Sequence, residues 1–136
     1  MQHRTLLLAL AACVPIGSLY AQQSGDLDST FNNVGYAITN VAPDRYEYIQ
    51  DIAVQADGRI VAVGFANTPT KVIIVLRYLP DGSLDTDFGT GGVVLTSIGG
   101  LGDAAHRVVI QADGRIVVAG SSLTANDGEL LAVLRY

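Results

Sequence analysis

The residues in this 136-residue sequence that come closest to a chemical pattern are acidic. Asp81-Gly82-Ser83-Leu84-Asp85-Thr86-Asp87 sets an oxygen-bearing side chain at every second position, and Asp26 and Asp28 echo it upstream. An extended loop of that kind can hold calcium, which takes several oxygen ligands, so Asp81, Asp85 and Asp87 are the candidates for a metal. The glycine and terminal glutamate of an EF-hand loop are missing. A second reading uses the same residues structurally: Asp81-Gly82 makes a turn, and Asp85 or Asp28 accepts backbone N–H groups so that Phe88 or Phe31 points into a core. Recurrence in two places favours this second use, because a structural device must repeat wherever its element repeats.

Other chemistry finds no anchor. Cys13 is the sole cysteine and His106 the one histidine beyond the N-terminal stretch, so neither a zinc site nor a thiol nucleophile is expected. A serine triad would have to recruit His106, and no Gly-x-Ser-x-Gly elbow is present. Paired carboxylates for glycoside cleavage cannot be placed across a cleft from sequence. Arg45, Tyr46, Glu47 and Tyr48 form an aromatic and charged cluster in a longer loop, which reads either as a sugar or peptide contact or as a solvated insertion. We therefore expect no catalytic residue and no cofactor.

Positioning such loops requires a scaffold, and composition bounds it. Hydrophobic residues make up 49% and charged ones 15%, with 15 Gly, which excludes a disordered tail, a collagen-like fibre and a disulfide miniprotein. The net charge of −5 excludes the basic face a nucleic-acid partner would need. Residues 1–21 read as a signal peptide: Arg4, then apolar Leu6 to Val14, then small Ala21 before Gln22-Gln23, too short for a spanning helix. The chain is expected to be secreted or periplasmic, with no membrane span after cleavage. The alternative is a lipoprotein anchored through Cys13, since Leu10-Ala11-Ala12-Cys13 resembles a lipobox.

Residues 22–136 contain one unit twice, over about 25–81 and 82–136. Gln55-Ala56-Asp57-Gly58-Arg59-Ile60-Val61 recurs as Gln111-Ala112-Asp113-Gly114-Arg115-Ile116-Val117, a shift of 56. Leu27-Asp28 and Phe31 pair with Leu84-Asp85 and Phe88 at a shift of 57, and Val75-Leu76-Arg77-Tyr78 with Val133-Leu134-Arg135-Tyr136 at 58. Leu27, Phe31, Leu84 and Phe88 are the expected core of the repeat. Short β-rich runs predict strands near 36–40, 50–55, 59–65 and 71–78, and again near 93–97, 106–111, 115–121 and 129–136. Asp57-Gly58 and Asp113-Gly114 are expected as two-residue hairpin turns in which Asp tolerates and Gly adopts positive φ. Runs such as Val72-Ile73-Ile74-Val75-Leu76 are apolar on both faces, so their sheets are covered on both sides.

The fold class is all-β: two tandem four-stranded antiparallel propeller-type blades, a partial β-propeller after a signal peptide. Gly82-Ser83-Leu84-Asp85-Thr86-Asp87-Phe88-Gly89, Gly91-Gly92-Val93-Val94, the run Val109 to Gly120 and Leu134-Arg135-Tyr136 together resemble the delta-60 repeat of bacterial secreted β-propellers. The resemblance implies a propeller, an extracytoplasmic location and usually many more repeats than two; it carries no catalytic set. Propellers close with about four to eight blades. The expected function is a secreted, non-enzymatic binding or structural module, part or fragment of a larger propeller. Its partners would be an extracellular ligand, additional blades or further copies of itself. The alternative is a propeller hydrolase or lyase acting through acidic loop residues.

Overall fold

The computed structural model describes residues 24–136; the expected signal peptide, Cys13 and the Ala21 cleavage position lie outside them. Among the described residues seven strands run in the order β1 (Glu47–Val54), β2 (Ile60–Asn67), β3 (Lys71–Tyr78), β4 (Val93–Thr96), β5 (Gly102–Ile110), β6 (Ile116–Thr124) and β7 (Gly128–Arg135). They form one open, all-β sheet. Among the described residues no helix is long and apolar enough to cross a membrane. β1, β2, β3 and β4 pair antiparallel in sequence order, as do β5, β6 and β7. A single parallel bridge, Lys71 to Gly102, joins the two sets.

The β-branched runs explain the strands, and their faces explain the stacking of the two sets. Val61, Val63, Ile73 and Val75 of the first set pack against Ala105, Val108, Ile116 and Val118 of the second. The opposite face of the first set, Ala62, Ala66, Val72, Ile74 and Leu76, is covered by Val41 and Ala42. The doubly apolar runs are thus buried on both faces in the first set. In the second set they are not: Leu131 is 96% exposed, and Val109, Leu123 and Val133 are also exposed. Polar ties reinforce the stack, since Asp51 Oδ2 accepts the Val108 N–H at 3.0 Å and Gln55 Nε2 donates to the Gly114 carbonyl at 3.3 Å.

Both inner strands carry a bulge at the same place in the repeat, between Ile49 and Asp51 in β1 and between Ala105 and Arg107 in β5. Opposite each bulge stands a glycine. A Cβ on Gly64 would lie 1.8 Å from the Tyr48 carbonyl oxygen, and one on Gly120 would lie 2.0 Å from that of Ala104. Bare backbone at these positions lets the bulged strand close onto its neighbour.

Four expectations need correction. The second set has three strands rather than four, because β4, expected as its first strand, pairs with β3 of the first set. Residues 36–40 form no strand. Their counterpart β4 is a strand because it pairs back onto β3, whereas no strand among the described residues offers 36–40 an edge. The hairpin loops are not two-residue turns. The Gly58 N–H donates to the Gln55 carbonyl and Gln55 N–H to the Arg59 carbonyl, and Gly58, not Asp57, takes positive φ, +85°. This is a turn followed by a left-handed glycine, repeated at Gln111, Asp113 and Gly114 with Gly114 also at +85°. Finally, Leu27 is 65% exposed and lies outside any core: its counterpart Leu84 bridges to the strand end at Tyr78, and among the described residues no strand precedes Leu27 to offer it the same bridge.

Candidate functional site

The acidic motif folds back onto the preceding repeat. The Asp85 N–H donates to the Arg77 carbonyl at 2.9 Å, bringing the motif beside the end of β3. There Asp85, only 3% exposed, accepts from Arg77 Nε at 2.7 Å and Arg59 Nε at 3.0 Å, both on Oδ2. Its Oδ1 accepts the Asp87 N–H at 3.2 Å. The Phe88 N–H donates to the Asp85 carbonyl, and the Phe88 ring packs on the core with the Arg77 guanidinium 4.4 Å from its centroid. Burial pushes the Asp85 carboxyl up, but the Arg77 hydrogen bond, the Asp87 N–H and the charges of Arg77 and Arg59 outweigh it and hold the group below the ordinary carboxylate range.

This geometry is a clip between repeats. Arg59 and Arg77 belong to the first repeat and Asp85 to the second, so the ion pairs bridge residues 26 and 8 positions apart. Two guanidinium groups occupy the oxygen that a cation would need. Asp81 is committed as well, with Oδ1 accepting the Ser83 N–H at 2.9 Å and hydroxyl at 2.6 Å, and Asp87 contributes its backbone rather than its carboxylate to Asp85. Among the described residues no three His, Cys, Asp or Glu side chains are grouped as metal ligands. The parallel motif at Asp28 keeps the local turn, accepting the Thr30 N–H at 2.9 Å and hydroxyl at 2.6 Å, and no arginine among the described residues pairs with it. Phe31, half-buried, seats its ring against Gly82, so the first copy of the motif rests on the second.

The turn residues hold the arginines. Asp57 Oδ1 accepts the Arg59 N–H and its other oxygen pairs with the Arg59 guanidinium. Asp113 treats Arg115 in the same way. Glu47, read from sequence as part of a binding cluster, instead takes the Val41 and Ala42 N–H groups on Oε1 and pins the covering loop. Its counterpart Asp103, fully buried, accepts Ser97 Oγ at 3.1 Å and the Ile98 N–H at 2.9 Å. Tyr48 stacks at 5.1 Å on Phe65, while Tyr46 is exposed.

One cluster was invisible in the sequence. His106 Nε2 lies 3.0 Å from Ser121 Oγ, which donates to Glu129 Oε1 at 2.6 Å. Strand pairing of β5, β6 and β7 assembles these residues, and only the repeat register could have signalled it. Here the hydroxyl stands between imidazole and carboxylate, whereas acyl transfer needs the imidazole in the middle to take the serine proton. Near Glu129, an open groove of about 400 Å³ runs between the two sets, lined by Lys71, Leu101, Leu123 and Glu129 among others. One cation, one anion and apolar walls are features that suit a small polar ligand.

Comparison with known families agrees with the repeat. Residues 55–88 and 111–136 match the family described as a domain of unknown function (DUF5122) beta-propeller. The first matched stretch contains Arg59, Arg77, Asp85 and Phe88, which is the whole clip; the second contains Arg115 and Arg135. Over these stretches the repeat is similar to a β-propeller family. No curated protein and no solved structure matches the chain.

Proposed function

We propose that the chain is an extracytoplasmic β-propeller module of the delta-60 type, acting as a binding or structural scaffold. Each antiparallel set is a blade, and the chain works by stacking blades and presenting their loops. The observation that carries this reading is the Arg59–Asp85–Arg77 clip: the most buried carboxylate of the acidic motif is spent on joining one repeat to the next. The apolar stretch Leu6 to Val14 before Ala21 supports export. The groove beside Lys71 and Glu129 supports a small polar ligand such as a saccharide or peptide end.

The test is binding and turnover measured together on one saccharide and peptide panel. Saturable binding without turnover, weakened by Lys71→Ala, is expected. Turnover abolished by Asp85→Asn or His106→Ala in a folded variant would replace the scaffold with a hydrolase or lyase.

A further inference from the structure

The two ends of the stack are complementary. Shifting the first repeat onto the second places Val61, Val63, Ile73 and Val75 on Val117, Ala119, Leu131 and Val133. The first four are fully buried beneath the second blade. Their counterparts form the outward face on which Leu131 and Val133 stand exposed. The same shift places Arg59 and Arg77 on Arg115 and Arg135, yet among the described residues Arg115 pairs only with its own turn residue Asp113 and Arg135 makes no ion pair. Among the described residues β7 pairs only with β6, so its other edge has no partner there, where β3 carries β4.

The opposite end holds what is missing there. Leu27 to Thr39 is the repeat counterpart of Leu84 to Thr96, the segment that supplies Asp85, Phe88 and β4 to the preceding blade. Thr39 Oγ1 lies 2.7 Å from the Tyr78 hydroxyl, as Thr96 Oγ1 lies 2.8 Å from that of Tyr136, so residues 36–40 are held against their own blade in the place β4 takes against the next. Unlike β4, they pair with no strand among the described residues. Tyr36 and Ile38 are exposed there, and among the described residues no arginine pairs with Asp28.

We propose that the free face and edge of the second blade receive the N-terminal segment of a second copy of this chain. Asp28 of the second copy enters between Arg115 and Arg135, Phe31 takes the place of Phe88 beneath Arg135, and residues 36–39 add an antiparallel strand to Leu131–Leu134. By the pairing of Val75 with Val94, Ala37 of one copy stands opposite Val133 of the other. The contact is head to tail, so it closes only as a ring; about two to four copies give the blade count of a closed propeller. This rests on the blade reading above.

The test is register-specific cross-linking of the full chain in a Cys13→Ser background. Chains carrying Ala37→Cys are mixed with chains carrying Val133→Cys and oxidised, with Ala37→Cys plus Ala125→Cys as the out-of-register control. Opposed strand residues approach closely enough for a disulfide, so the in-register pair should cross-link about tenfold more than the control. Adding Asp28→Arg to the Ala37→Cys chain should remove the product, and adding Arg115→Asp with Arg135→Asp to its partner should restore it. Equal yields in both registers, or no cross-link from chains that remain monomeric and β-rich by circular dichroism, overturn the second copy and assign the face to a further repeat in a longer polypeptide. Neither result touches the binding and turnover test of the scaffold.

Discussion

Replacing Gly64 by alanine tests whether the bulges shape the inner strands. The added methyl would sit 1.8 Å from the Tyr48 oxygen and 2.8 Å from its carbonyl carbon, both backbone atoms that cannot rotate away. Carbon and oxygen on neighbouring strands approach to about 3.3 Å, so β1 must retreat by about 1.5 Å, roughly a third of the strand spacing. A ladder hydrogen bond does not survive that displacement. Losing two or three such bonds at about 1 kcal/mol each, with some repacking, gives about 2–4 kcal/mol. Melting followed by circular dichroism should fall by about 10–20 °C. Gly120→Ala, 2.0 Å from the Ala104 oxygen, should behave alike. Gly114→Ala separates the causes, since its methyl meets nothing within 4 Å and the cost comes from φ of +85° alone, about 1 kcal/mol. A loss below about 0.5 kcal/mol for Gly64→Ala, or one no larger than for Gly114→Ala, would refute close approach as the reason for glycine there.

Burial differs between equivalent positions, so at dilution Ile73→Ala should cost about 2–5 kcal/mol in urea unfolding and Leu131→Ala under about 0.5; equal costs would contradict the uncovered face. Because the folded Asp85 carboxyl lies below its ordinary value of 3.8, its contribution is present above about pH 4 and is lost as pH falls through the folded value. Asp85→Asn should therefore destabilise the chain at pH 7 and narrow the gap to the parent protein in acid, read from melting across pH 2–7 as an order-of-magnitude window. Glu47→Ala frees the Val41 and Ala42 N–H groups and should speed tryptic cutting at Arg45 by about tenfold or more, with Glu47→Gln retaining part of the protection. Cutting at an unchanged rate would show that the carboxylate does not hold the loop.

The repeat was legible because seven identical residues surround each hairpin, and the β-branched runs placed β2, β3, β6 and β7 within a few residues. Residues 36–40 differ from expectation for a physical reason: their sequence carries the strand preference, but a strand exists only where a second backbone accepts its N–H groups. The clip could not be read either. Asp85 looks like a calcium ligand beside Asp81 and Asp87, and only folding brings Arg59 and Arg77 to it. Glu47 misled in the same way, because its exposed neighbours Tyr46 and Tyr48 suggest recognition while its carboxylate turns to backbone. The Asp57 turn was right in kind and wrong in detail, since a five-residue connection leaves only the glycine in the left-handed region.

The borrowed fourth strand also sets a timetable for the ribosome. β1, β2 and β3 are complete at Tyr78, but their sheet cannot finish until Thr96 has been made. At about 5–20 residues per second that wait is roughly 1–4 s, against microseconds for a hairpin to form. Throughout it the nascent chain carries the bare edge of β3, the most apolar strand, where any stray extended segment could bind. Translation speed across residues 79–96 thus governs how long the newborn chain is open to wrong partners.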